Sequence, residues 1–214
     1  MSELKRLVNF VGEETELVSR VEEAVEWVFS KPEGRDMLEK AYKLHKNPLK
    51  IITDSTVHNL GYGDLDGNHV VYVNPELIDL QVLNGKSGEK IQATLERFFS
   101  HEFLHSTQPD VILNAQNMLA RKQEIQNEVL PQIPFEQYQQ RIMDASNSDV
   151  ALAELLGEIY DTHIADSAAE LTRTMINRFA NDEIIKKFTD KYETPAIEFE
   201  NLMMEKYLRE QRWY

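Results

Sequence analysis

The chain predicts an α+β fold that is mostly helical, with a small antiparallel hairpin packed on one helix, and three patterns carry that expectation. Strand-like, β-branched runs occur only between residues 49 and 73. Apolar residues recur at helical spacing through almost all the rest. The hydrophobic share of 42% in 214 residues is enough to build a sizeable core. No internal repeat or low-complexity tract interrupts the pattern, and the chain reads as a single domain over 1–214. Residues 1–110 form a part with the hairpin and a motif-bearing helix, and 111–214 form a helical part.

Leu17, Val21, Ala24, Val25, Val28 and Phe29 mark a first amphipathic helix that ends near Pro32. Met37, Leu38, Ala41, Tyr42 and Leu44 mark a second, stopped before Pro48. Leu49-Lys50-Ile51-Ile52-Thr53 reads as a strand. Residues 61–65 and 68–73 read as a hairpin around Asp66-Gly67, a dipeptide suited to a tight turn, closed by Asn74-Pro75. Ser87-Gly88-Glu89 is expected to open the next helix, which Pro109 ends. Beyond it the periodicity predicts helices over roughly 111–131, 135–145, 148–179, 182–191 and 194–211.

The formal charge of −14 opposes nucleic acid binding, because phosphate contacts need a basic surface and Lys186-Lys187 is as clustered as the cations become. A protein or peptide substrate of basic character suits that charge better. The sequence contains no run of eighteen apolar residues, so no membrane span is expected, and Met1-Ser2-Glu3-Leu4-Lys5-Arg6 lacks the apolar stretch of a secretory signal. The expectation is a soluble protein, cytoplasmic unless a specialised secretion route exports it. The sequence has no cysteine, which removes disulfides, thiolate metal sites and cysteine nucleophiles. Oligomeric state has no signature in the sequence.

The chemistry concentrates in His101-Glu102-Phe103-Leu104-His105. At 3.6 residues per turn His101 and His105 lie on one side of a helix and can share one Zn²⁺. Glu102, turned by about 100°, can take a proton from a water beside the metal. Such a motif arises by chance in roughly one or two chains of this size per hundred, so its setting matters. Ile91, Leu95, Phe98 and Leu104 supply an apolar stripe that the His pair borders, which points the pair at a packed interior. The reaction implied is metal-assisted hydrolysis, with Glu102 as general base.

Zinc needs a third protein ligand. A histidine six residues beyond His105 is absent, since Val111 stands there, and no Asp lies a dozen residues downstream, where Asn117, Met118 and Leu119 stand. The remaining candidates are Glu154, Glu158, Asp161, His163, Asp166, Glu170 and Glu193. Glu193-Thr194-Pro195-Ala196 is the best placed, as a carboxylate before a Pro-initiated helix with a small residue that permits close approach. Glu158 and Glu170 are the alternatives. Tyr192, Tyr207, Tyr214 and His163 are possible oxyanion donors, with none assigned.

The His-Glu-x-x-His motif, the preceding Gly-rich hairpin, and the tail Glu193-Thr-Pro-Ala196 with Glu200-Asn201, Arg209, Arg212 and Tyr214 together resemble the zinc metallopeptidases that bacterial secretion systems deliver as effectors and toxins. The resemblance spans residues 61–75, 95–106 and 193–214. It implies a zincin-like, gluzincin-type fold and a zinc endopeptidase held by His101, His105 and Glu193, acting as a virulence factor on host proteins. It also implies a hairpin edge on which substrate lies as an added strand. The competing expectation is a non-catalytic acidic helical interaction protein with an accidental HExxH.

Overall fold

The computed structural model describes residues 2–58, 60–84, 90–129, 136–145, 148, 151–157 and 165–207. It is mostly helical with a small mixed sheet, and the chain divides into two compact units: residues 1–112 with 192–214, and residues 113–191.

The first unit opens with α1 (Ser2–Leu7) and β1 (Val8–Val11), followed by α2 (Thr15–Phe29) and α3 (Pro32–His45). Pro32 suits the first turn of α3, where its missing N–H is no loss. The strands β2 (Leu49–Thr53), β3 (Gly61–Leu65) and β4 (Asn68–Val73) follow, then α4 (Pro75–Leu80) and a second hairpin, β5 (Val82–Asn84) with β6 (Lys90–Gln92). The main sheet runs β1-β2-β4-β3. The predicted hairpin is present, with β3 antiparallel to β4, but β1 and β2 join parallel. The sheet is therefore mixed, a correction to the antiparallel expectation. Its parallel part is built by the chain returning through α2 and α3 between β1 and β2, and such long crossovers are what parallel pairing requires.

Asp66 and Gly67 have φ of 54° and 78°, the paired positive values of a two-residue hairpin turn whose twist matches its strands. Gly67 N–H donates to Asp64 Oδ1 at 3.0 Å. Asn74 caps α4 by accepting from the Glu76 and Leu77 amides, which satisfies donors at the helix start.

The motif-bearing helix is α5 (Leu95–His105). It opens at Thr94, whose hydroxyl accepts from Arg97 N–H at 3.3 Å. Ser87-Gly88-Glu89 lies outside the described residues, and strand β6 separates it from the helix, so it does not serve as the predicted start. Ile91 falls in β6. The buried stripe of α5 is Leu95, Phe99 and Phe103, at i, i+4 and i+8, rather than Leu95, Phe98 and Leu104. Phe99 and Phe103 are completely buried, in a core with Val21, Val25, Leu38, Ile51, Val71 and Met203. That core fixes α5 between α2, α3 and the last helix, Thr194–Tyr207.

The second unit begins two residues into α6 (Val111–Val129) and adds α7 (Glu136–Ala145), a helix over 151–157 (α8), α9 (Ala165–Asn181) and α10 (Glu183–Phe188). The part of the predicted helix 148–179 between α8 and α9 lies outside the described residues. Ile125, Ile142, Leu152, Leu156, Met175 and Phe179 form a core of this unit's own. Asp182 caps α10 and also accepts from Arg121 Nε at 2.7 Å, tying α6 to the start of α10. A wide turn of π type, Thr189–Glu193, then leads into α11 (Thr194–Tyr207), which packs along α5 within the first unit.

Candidate metal centre

The centre assembles from the two ends of the first unit. On α5, the i, i+4 spacing stacks His101 and His105 with their Nε2 atoms 3.0 Å apart. From the turn before α11, Glu193 straddles them, with Oε2 at 3.4 Å from His101 Nε2 and Oε1 at 3.5 Å from His105 Nε2. One ligand atom from each of the three residues lies within 4.8 Å of the others. Ala196 is fully buried in α11, the helix that packs along α5.

Partners on the far side of each imidazole set the tautomers. His101 Nδ1 lies 3.2 Å from Glu200 Oε2, a carboxylate that can only accept. His105 Nδ1 lies 2.8 Å from Gln108 Oε1, whose amide nitrogen donates to the Tyr192 carbonyl at 3.3 Å. Both Nδ1 atoms therefore donate, and a neutral ring presents its Nε2 lone pair inward. Two lone pairs and a carboxylate then converge with no donor among them, an arrangement that needs positive charge at its centre. Four-coordinate zinc with ligands at about 2.0–2.1 Å separates ligand atoms by about 3.3 Å, close to the distances found. The residues fit a cation with nitrogen and oxygen preference.

The same electrostatics appears as protonation. Burial opposes charge on His101, but the Glu193 and Glu200 carboxylates outweigh it, with help from Glu102, and push the imidazole up to about 10. His105 moves in the same direction for similar reasons, restrained by the neighbouring His101 charge. Burial would raise the Glu193 carboxyl, yet the two imidazoles hold it far below the usual carboxylate range.

Glu200 is itself anchored. Arg97, one turn before His101, forms a part-buried ion pair with Glu200 Oε1 and donates to Asn201 Oδ1 at 3.2 Å. Arg97, Glu200 and His101 thus form a line from the helix interior to the centre, the kind of carboxylate–imidazole support that fixes a metal ligand's orientation.

Glu102 is buried, and its Oε2 accepts the Tyr62 backbone N–H at 2.7 Å. Among the described residues this is its one hydrogen bond, leaving Oε1 open. Gly61 lies beside the Glu102 carboxylate, where a Cβ would make only ordinary contact at 3.5 Å, and it is the φ of 127° there that favours glycine.

The structure thus brings His101, Glu102, His105 and Glu193 together. Glu154 is exposed in the second unit. Glu158, Asp161 and His163 lie outside the described residues, as do the side chains of Asp166 and Glu170. Tyr207 donates to Glu33 at 2.6 Å and is a tie between α11 and α3 rather than an oxyanion donor. Tyr214 is outside the described residues. Glu200 and Gln108 are not among the sequence candidates. Glu200 carries a usable signal, since it follows Glu193 by seven residues and so recurs on the same helix face. Gln108 lies past the end of α5 and carries none. No helix among the described residues is long and apolar enough to cross a membrane. Comparison with protein-family profiles, curated proteins and solved structures gives no match.

Proposed function

We propose that this chain is a zinc-dependent endopeptidase of the zincin type. The observation that carries the reading is the convergence of His101 Nε2, His105 Nε2 and a Glu193 carboxylate on one point, with Glu102 buried next to the pair on the same helix. Zinc would be held by His101, His105 and Glu193 and would supply Lewis acidity toward a water and a scissile carbonyl. Glu102 takes a proton from the attacking water on its open Oε1 and passes it to the leaving amine. Glu200 and Gln108 keep both imidazoles in the tautomer that faces the ion.

The sheet edge supports a peptide as substrate. β3 ends the sheet. In an antiparallel pair alternate residues turn their N–H and C=O away from the partner, and the Tyr62 N–H, directed at Glu102, marks Tyr62 and Asp64 as the outward ones. The Tyr62 carbonyl and both backbone groups of Asp64 can pair with an extended chain laid beside the base. The acidic surface favours basic segments of a protein substrate. The tail resembling secreted bacterial metallopeptidases is the segment that supplies Glu193 and Glu200, which supports an effector or toxin acting on host proteins.

Elemental analysis of the purified protein should give one zinc per chain, and a proteome-derived peptide library should be cut. Glu102→Gln should retain the metal and lower cleavage by about 10²–10⁴-fold. Cleavage by Glu102→Gln at the parental rate would refute the mechanism, and loss of neither zinc nor cleavage in Glu193→Ala would refute the ligand set.

A further inference from the structure

Tyr62 reaches the motif-bearing helix by two routes, once directly and once through His45 of α3, and the second lies outside the machinery described above. Its N–H donates to Glu102 Oε2 at 2.7 Å. Its hydroxyl oxygen lies 3.2 Å from His45 Nε2, at the end of α3. That same nitrogen lies 2.9 Å from the Ser106 carbonyl, directly after His105. A carbonyl can only accept, so the proton sits on His45 Nε2, and the N–H is shared between Ser106 O and Tyr62 Oη. His45 therefore ties the C-terminal end of α5 to the side chain of the strand whose backbone holds Glu102.

The tie is itself braced. His69 of β4 stacks on His45 with ring centroids 4.0 Å apart and planes 20° from parallel. His69 Nε2 donates to the Asn47 carbonyl at 2.9 Å. His69 is buried with no partner at Nδ1 among the described residues, and burial keeps the ring neutral, so the stack carries no repulsion from that side. Four segments thus meet at one small cluster: the end of α3, strands β3 and β4, and the end of α5.

Resting on the peptidase reading, we propose that Tyr62 is a positioning residue for Glu102: its hydroxyl, through His45 and the Ser106 carbonyl, sets the distance between strand β3 and helix α5 at which its own N–H fixes the general base. A buried carboxylate with one hydrogen bond keeps its rotamer only while that donor stays in place. A free edge strand has no sheet partner on its outer side to hold it there.

The test uses the full chain with Tyr62→Phe, which keeps ring volume and the N–H, and His45→Ala, with His45→Gln as the conservative rescue that retains a side-chain donor. Amide exchange at residue 62, followed by NMR in the metal-free protein, reads the Tyr62–Glu102 bond without reference to activity. Zinc content and kcat against KM on a peptide drawn from the library read its consequence. The expectation is one zinc in every variant and at least tenfold faster exchange at residue 62 in Tyr62→Phe and His45→Ala. About tenfold lower kcat with little change in KM should accompany it, with His45→Gln close to the parent. Unchanged exchange in Tyr62→Phe would overturn the proposal whatever happens to activity, and so would faster exchange with unchanged kcat in an active parent. Faster exchange in the metal-free variants, with a parent that binds zinc but cuts no peptide, would uphold the coupling of strand to carboxylate and fail the peptidase reading instead.

Discussion

At the scale of single residues, each side chain of the His-Glu-x-x-His motif is held by a partner of its own. His101 is held by Glu200, which Arg97 pairs with in turn, His105 by Gln108, and Glu102 by a backbone amide. The motif residues are legible in the sequence because i, i+4 spacing is a local property that any helix preserves, and Glu193 is legible from the Pro-initiated helix that follows it. The supports are harder to read: Glu200 meets His101 across 99 residues and is hinted at only by its seven-residue spacing from Glu193, while Gln108 has no such signal. Glu200→Gln keeps the volume and one acceptor but removes the charge opposite Arg97. It should weaken zinc binding about 10–100-fold, as loss of such outer support usually does. Glu205→Gln, an exposed acid on the same helix, should leave affinity unchanged. Competition against a fluorescent zinc chelator measures both, and equal affinities for Glu200→Gln and the parent would remove Glu200 from the centre.

At the scale of elements, the hairpin, α2, α3 and the last helix follow from periodicity and turn residues, since each has its own caps or breaks. The boundary at Ser87 does not: a serine and a glycine are plausible helix openers anywhere, and Thr94 prevails because β6 pairs with β5 just before it. β1 escapes the sequence reading because Val8-Asn9-Phe10-Val11 is only four residues and becomes a strand through parallel pairing with β2. Nor does sequence show that, of the two glycines in β3, the backbone requires only Gly61. Gly61 sits at φ 127° against Glu102, whereas a Cβ on Gly63 would meet only the Tyr72 ring, at 3.8 Å. Gly61→Ala should therefore cost roughly 1–3 kcal/mol through backbone strain, and Gly63→Ala should cost much less. Urea unfolding midpoints compare them, and equal losses would mean that β3 adjusts freely at Gly61 and that its approach to the base is not fixed.

At the scale of the whole molecule, every residue of the candidate centre belongs to the unit formed by 1–112 and 192–214, and its charge state links pH, metal and stability there. In the metal-free protein His101 is raised to about 10 from an ordinary 6.5. Its contribution to stability is therefore fully present below pH 6.5 and is lost as pH climbs toward 10. Glu193 is lowered, so its contribution is present above its ordinary range and lost only as pH falls below it. Zinc reverses the first trend, because a ligating imidazole must give up its Nε2 proton and the ion replaces the positive charge that the proton supplied. Near pH 7.5 the His101 proton is still bound, so zinc binding should release about one proton from that site. Apparent affinity should then rise about tenfold per pH unit between pH 7 and 9. Calorimetric titration in two buffers of different ionisation enthalpy counts the proton directly. Over the same range thermal stability should fall with pH in the metal-free protein and hold or rise in the zinc-loaded one, read through Trp27 fluorescence within that unit. Zinc binding with no proton released would mean that the imidazoles are already deprotonated in the metal-free state, and that Glu193 and Glu200 do not act on His101 as their distances imply.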